Sequence, residues 1–453
     1  LKKLALLVLA GCLLIAGCSG GGNSGGTGEG GASSPASTPT DSGSGSGQPV
    51  TLRILAHWDA GNTDALLQKV EAYKNVNPNV TVQVETVPFG DLLKRITVSN
   101  LSGGGADIYH IYNAWLPELT NSKSIVPVPD PFKSDIVSGY GENIVGSVSY
   151  NGEIYGYPTE LTGYALNYNK RLFEEAGISA PPGNWDELLD YAQRLTKKEN
   201  GQTVQQGFGV IIGWDSGVVH PWLTLLQSNG GKFLSDDLST TDLNSPQALE
   251  ALELYQKLVQ SGATNPEMGL SNASTTGPYM NNFELGKTAM IIMANWWKGS
   301  LQATMGDRFQ DVATAPIPVG PSGTKPVSLF YSWLYAVSAF SKQQEEAWKF
   351  LQWLNSPQGE GQSSVQGDWL MAQGIIPSRL SDQEAHEANL GQDPFMKTYV
   401  DLLKDARSFP VIPKAAEITS TLQGYIEQVV YSRATPADAL NGAAADIQKL
   451  ISQ

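Results

Sequence analysis

The sequence predicts an α/β fold built as two lobes, and three observations carry that prediction. From Val50 to Thr86 the hydrophobic period runs strand, helix, strand, the βαβ pattern of a parallel sheet with helices on its faces. The chain has 453 residues, more than one ordinary core can serve. Two strand-like runs meet at Pro158 in mid-chain, which marks a passage of the polypeptide from one lobe to the other.

The elements follow in order. Val50, Leu52, Ile54 and Ala56 alternate as a strand; Asp64 to Asn75 carries Leu66, Leu67, Val70 and Tyr73 at helical spacing, with Asn62 and Thr63 as candidate caps. Val80 to Thr86 alternates again, and a helix over Leu92 to Leu101 and a strand over Ile108 to Tyr112 continue the pattern. Ile154, Tyr155 and Tyr157 form a run broken by Pro158, and Tyr164, Leu166 and Tyr168 form a second, half-buried one. A short helix over Lys170 to Ala176 stops at Gly177. Asn184 with Glu187 reads as a capping box, Ser245-Pro246 opens another helix, Val327 to Ala339 is strand-like, Ser341 begins a helix ending at Asn355-Ser356-Pro357, and Thr435-Pro436 opens the last.

Charge excludes some partners. The chain is formally −15, which argues against nucleic acid or an anionic membrane surface, since both need a basic face. Lys2 and Lys3 precede an apolar run from Leu4 to Ala16, the length of a signal-peptide core and too short to span a bilayer. Leu14-Ile15-Ala16-Gly17-Cys18 resembles a bacterial lipobox, which implies removal of residues 1–17 and a lipid on Cys18. Cys12 leaves with that segment, so no thiol remains for a disulfide or a metal. Residues 18–48 hold Gly, Ser, Thr, Ala and Pro with hardly a charge, a flexible tether with a reach on the order of 30 Å.

Catalytic templates fail. The four histidines are scattered, and His386-Glu387 lacks the second histidine of HExxH. Gly286-Lys287-Thr288 ends like a phosphate loop, but Asn281 stands where that loop needs its first glycine. Counting acids does not eliminate a glycosidase carboxylate pair, but nothing marks one. No cofactor and no metal is called for.

Glu153 to Ile178 carries the informative resemblance. Tyr155-Gly156-Tyr157-Pro158, Ala165-Leu166-Asn167-Tyr168-Asn169-Lys170 and Leu172-Phe173-Glu174-Glu175-Ala176-Gly177-Ile178, followed by Asn184-Trp185-Asp186-Glu187-Leu188, resemble the signature of the extracellular solute-binding proteins of ABC importers, in the sugar-binding branch. Gly105-Ala106-Asp107-Ile108, the stretch Phe283 to Met290 and Ala315-Pro316-Ile317-Pro318 extend the likeness, which covers Val50 to Gln453. It implies a periplasmic-binding-protein-like fold with a ligand cleft between two lobes joined by several hinge crossings. Carried over, one lobe is 49–160 plus 312–360 and the other 161–311 plus 361–453. The resemblance also implies a non-catalytic, monomeric lipoprotein on the outer face of the bacterial cytoplasmic membrane. Its partners would be a carbohydrate, an oligosaccharide first, and the permease subunits of an importer.

Sugar binding needs aromatic faces for pyranose C–H surfaces and planar polar groups for hydroxyls, placed on loops at the carboxyl ends of strands. Trp58 and Asp59 leave the first strand in this way, and Tyr112, Asn113 and Trp115 leave another. The resemblance adds Glu160 and Thr162 in the crossing, Trp296 as a stacking residue with Trp297 beside it, and Trp333 on the returning segment; His220 matches a pocket aromatic loosely. Glu160 lies two residues from the acid of the maltose-binding relatives, which stands opposite Thr162, and a further stacking tryptophan of theirs falls near Thr419. That loss favours a saccharide other than maltodextrin. A polyamine or iron complex on the same fold, a glycan-acting enzyme and a sensor subunit are the rival readings.

Overall fold

In the computed structural model, which describes residues 48–58, 60–272 and 276–452, the alternating apolar runs form strands and the 3.6-period runs cover them. The main strands are β1 (Val50–Ala56), β2 (Val80–Thr86), β3 (Ile108–Tyr112), β4 (Tyr157–Asn169), β5 (Lys197–Glu199), β6 (Gln202–Gly209), β7 (Thr288–Ala294), β8 (Val312–Ala315), β9 (Leu329–Val337) and β10 (Ile376–Pro377). The main helices are α1 (Ala60–Val70), α2 (Phe89–Leu101), α3 (Trp185–Arg194), α4 (Asp215–Ser228), α5 (Pro246–Gln260), α6 (Trp297–Met305), α7 (Gln344–Asn355), α8 (Val365–Ala372), α9 (Pro394–Leu403), α10 (Ala415–Val430) and α11 (Pro436–Ile451). The leader-like segment, the tether with Cys18, and Asp59 lie outside the described residues.

The strands join in the order β2-β1-β3-β9-β4-β7-β6-β5, with β8 and β10 also pairing with β4. β1 is parallel to β2 and β3, as the βαβ pattern requires, while β9 runs antiparallel to β3 and β4. β4 serves both halves of this sheet. Its first part pairs with β9, from Tyr157↔Tyr335 to Gly163↔Phe330, and its second part with β7, from Tyr164↔Ala294 to Tyr168↔Met290. β8 pairs with the far end of β4, Val312 opposite Asn169, and α9 packs there. α8 packs on α1 and α7, in the half that contains β1.

Successive residues of the strands enter two apolar layers, one on each face. Ile291 and Met293 of β7 belong to one layer, and Met290, Ile292 and Ala294 to the other. Both faces of β4 are therefore covered, which makes it buried almost throughout rather than half-buried as its alternation predicts. Pro158 does not break a strand either. It lies inside β4, where the pairing with β9 slips by one residue between Ser332↔Leu161 and Leu334↔Pro158. A residue without an N–H is tolerated at such a bulge. Gly156, just before β4, has no room for a side chain, since a Cβ there would lie 2.1 Å from the Tyr335 carbonyl oxygen.

Most of the caps follow the sequence, but α7 begins at Gln344 and not at Ser341. Asn184 accepts from the Glu187 N–H (2.9 Å) and Ser245 from the Ala248 N–H (3.3 Å). α1, however, starts at Ala60, so Asn62 and Thr63 lie in its first turn and do not cap it; the Asn62 carbonyl accepts from the Trp369 indole N–H (2.9 Å), which fixes that turn against α8.

Asn295 clamps the point where β4 changes partners. Its side chain accepts from the Gly163 N–H (3.0 Å) and donates to the Leu161 carbonyl (3.1 Å), and its own N–H donates to the Gly163 carbonyl (3.2 Å). The residue is fully buried. Asn295→Ala is expected to strand a buried donor and a buried acceptor and to lower stability by about 1–3 kcal/mol for each, read as a drop in the urea midpoint with an unchanged m-value.

Candidate functional site

A cavity of about 540 Å³ opens beside the middle of β4, a volume in the usual range for small-molecule sites. Its floor is made of cross-strand neighbours. Tyr112 at the end of β3 is paired with Trp333 of β9, and Tyr331 of β9 with Thr162 of β4. Walls come from both halves of the sheet. His57 and Trp58 leave the carboxyl end of β1, and Trp369 of α8 lies beside them. On the other side, Trp214 and His220 belong to the start and first turns of α4, and Trp296 follows β7.

The aromatic rings hold one another in place. Trp58 meets Trp369 edge to face at 4.9 Å and tilts on His110 at 4.7 Å. Trp333 stacks on His57 at 4.0 Å and on His110 at 4.9 Å. Trp296 lies 6.3 Å from Trp214. Such offset and edge contacts fix ring planes beyond what burial alone would do.

Glu160 is the acid of the floor, and it is only 6% exposed. Neighbouring side chains in a strand normally point to opposite faces, yet Thr159 donates a short hydrogen bond to the Glu160 carboxylate. Both approach His110 Nε2, at 3.0 and 3.4 Å. The bulge in β4 covers Thr159 and Glu160 opposite Trp333, and this brings the two side chains to one side.

His220 is buried among Tyr112, Tyr164, Tyr331 and Phe409, with ring centroids 4.8–6.3 Å away. Its Nδ1 lies 2.9 Å from the Tyr164 hydroxyl and its Nε2 3.4 Å from that of Tyr112. Burial pushes the imidazole down to about 3, so it is neutral and can donate at one nitrogen while accepting at the other. Burial, then the neighbouring His110, hold His57 well below its ordinary range as well. Burial raises the Tyr331 hydroxyl to about 12, so it stays protonated. The result is a wall of aromatic faces interrupted by neutral hydroxyl and imidazole groups and one carboxylate. That set can stack on and hydrogen-bond a polyhydroxyl ligand. Among the described residues no group of His, Cys, Asp and Glu is arranged to hold a metal ion.

Of the residues singled out from sequence, Trp58, Tyr112, Glu160, Thr162, His220, Trp296 and Trp333 all line this cavity. Asn113, Trp115 and Trp297 do not. Asn113 is fully buried and donates to the Ser147 carbonyl (3.2 Å) while accepting from the Ser332 N–H (3.4 Å), which fixes the loop after β3. Trp115 stacks on Phe89 behind the cavity wall, at 5.5 Å. Trp297 packs on Phe283 in the core at 5.0 Å and is fully buried.

The chain matches the model of the bacterial extracellular solute-binding proteins over residues 59–361. It belongs to that family. By sequence it is similar to a Brucella abortus protein named as a binding protein, 29% identical over 387 residues, 84% of this chain and 88% of that one. It is also similar to the diacetylchitobiose-binding protein of Streptomyces coelicolor, 24% identical over 383 residues, 82% and 83% of the two chains. By structure it is similar to an ABC-transporter solute-binding protein of Thermotoga lettingae bound with α-D-tagatose, with a TM-score of 0.77, 24% identity, and 89% of this chain and all of that one covered. The fold is thus the two-lobed, periplasmic-binding-protein-like α/β fold, and both the family and these relatives are binding proteins.

Family membership leaves several lining residues that sequence reasoning passed over. Trp214 follows Gly213 at the carboxyl end of β6, the position type that marked Trp58. Trp369 had no such signal, because it lies inside a helix and not after a strand. Trp369 also shows the two roles joined, since its indole N–H is committed to Asn62 while its ring faces Trp58.

The neutral His220 gives a pH signature. The unfolded chain takes up this proton near the ordinary 6.5, the folded one at about 3, so the unfolded state binds more protons in between and stability falls as pH drops. Between pH 6.5 and 5 the loss for this residue is expected to be about 1.5 kcal/mol, and His220→Gln should flatten the pH dependence of unfolding by that amount.

Proposed function

We propose that this protein is the substrate-binding lipoprotein of an ABC importer for a carbohydrate, an oligosaccharide above all. The observation that carries the reading is the cavity beside β4, with Trp58 and Trp369 contributed by one half of the sheet and Trp214 and Trp296 by the other. Aromatic faces on both sides suit the two apolar faces of a pyranose ring, and hydroxyls, imidazole and carboxylate on the floor suit its rim. The ligand names of the Streptomyces and Thermotoga relatives support it.

In this reading the lobes part at the centre of β4, after Ala315 and after Pro377 rather than at 312 and 361, because β8 pairs with the far end of β4 and α8 packs on α1 and α7. The ligand binds between open lobes, and closure about these crossings buries it and presents the closed form to the permease. Only contacts that improve on closure drive that step. The Cys18 lipid and the tether hold a monomeric binding domain at the outer face of the membrane. Binding requires no turnover, so the ligand leaves unchanged.

A panel of neutral mono- and oligosaccharides, scanned by thermal unfolding and tryptophan fluorescence, tests this. A ligand at a hundred times its dissociation constant should add about 2.7 kcal/mol. Trp296→Ala is expected to abolish the shift for the active sugar series while the ligand-free protein melts within a few degrees of the parent. A shift by polyamines or iron complexes with none by any sugar would reject the carbohydrate assignment.

A further inference from the structure

The charge of the cavity narrows the ligand further. Among the described lining residues there is no lysine or arginine, and Glu160 is the one carboxylate. The two lining histidines, His57 and His220, are neutral by burial. Lys298, two residues from Trp296, is committed to Asp393, and the buried Arg379 to Asp135. Asp215, beside the lining residue Ser216, puts a second acid behind the wall.

Glu160 is itself held rather than free to swing away. Thr159 and His110 occupy one of its carboxylate oxygens, and the bulge in β4 fixes the backbone beneath it. An anionic ligand entering this space would meet a fixed like charge with no cation among the described lining residues to offset it. Two like charges about 6 Å apart, at an effective dielectric of about 20, repel enough to cost on the order of 100-fold in affinity. A hydroxyl-bearing neutral ligand meets no such penalty and can donate to the carboxylate.

We infer that the site takes uncharged saccharides and rejects sugar acids, and that Glu160 is the residue that sets this choice. The inference rests on the carbohydrate reading above and adds the charge class of the ligand and the group that selects it.

The test is a set of matched pairs titrated into the full chain at pH 8, where an ordinary imidazole is neutral. Cello-, manno- and galacto-oligosaccharides of two to four units would each be compared with the uronate oligomer of the same linkage, by calorimetry. The expected result is one neutral series that binds on the order of 100-fold more tightly than its uronate counterpart, with the gap narrowing at least about tenfold in Glu160→Gln. Glutamine keeps the shape and the acceptor for Thr159, and its ligand-free melting temperature checks that the variant folds. As a second arm, raising salt from 0.05 to 0.5 M should narrow the gap in the parent protein and leave it unchanged in the variant. A uronate that binds within threefold of its neutral partner overturns the inference while the carbohydrate reading stands. A gap of the same size in Glu160→Gln overturns the role of Glu160. Failure of every saccharide, neutral and anionic, overturns this inference together with the reading beneath it.

Discussion

The structure depends on one constraint, that a single strand belongs to both halves of the sheet. β4 exchanges β9 for β7 between Gly163 and Tyr164, and each half completes its hydrogen bonding on a different part of the same thirteen residues. At the exchange neither neighbour can satisfy every backbone group, and buried backbone groups must be satisfied. Asn295 supplies partners for Gly163 and Leu161 from the end of β7, and the Ser328 hydroxyl supplies them for Tyr164. Any rotation of one half against the other has to be absorbed at such crossings, because the packed layers on either side deform little. The cavity opens beside the same strand, with Glu160 and Thr162 of β4 in its lining and side chains from both halves around it.

That location explains why so polar a floor can exist in so apolar a region. Burying a carboxylate or an imidazole is costly unless its partners are buried with it. Here the partners come from fixed positions: Thr159 and His110 for Glu160, Tyr164 and Tyr112 for His220. Trp333 stacked on both His57 and His110 keeps the rings from relaxing. The arrangement is set before any ligand arrives, so binding energy need not be spent on ordering these side chains.

Much of the fold was legible because periodicity reports burial. β1, β2 and β3 fall where alternation placed them, and Asn184 and Ser245 cap the helices that their positions announce. What failed, failed for tertiary reasons. Pro158 reads locally as a strand breaker, and only the slip in pairing against β9 makes room for it. Asn113, Trp115 and Trp297 have the residue types of a sugar site, but whether a side chain meets a cavity or a core depends on which neighbour fills the space beside it. For Trp297 that neighbour is Phe283, and for Trp115 it is Phe89, both distant or ambiguous in sequence. Thr419 shows the converse. It is buried in α10 with its hydroxyl on the Ala415 carbonyl (2.7 Å), within a helix packed on α4, so its alignment with a stacking tryptophan of the relatives does not place it at this cavity.

The bulge at Thr159–Glu160 shows how a small backbone irregularity becomes chemistry. In a regular strand Thr159 would face away from Glu160, and the carboxylate would lose the hydroxyl that now donates to it. The extra residue turns both toward His110, so the acid is partly satisfied by the protein itself. A carboxylate so held retains acceptor capacity for a ligand hydroxyl and gives a stronger hydrogen bond than a neutral amide would. Had the charge been paired with a buried lysine or arginine instead, the pair would have consumed that capacity and the cavity would have gained a cation. The absence of such a cation among the described lining residues is therefore consistent with the local design of β4: polarity sufficient to orient hydroxyls, held in place by neutral groups, within walls that offer apolar faces to the rest of the ligand.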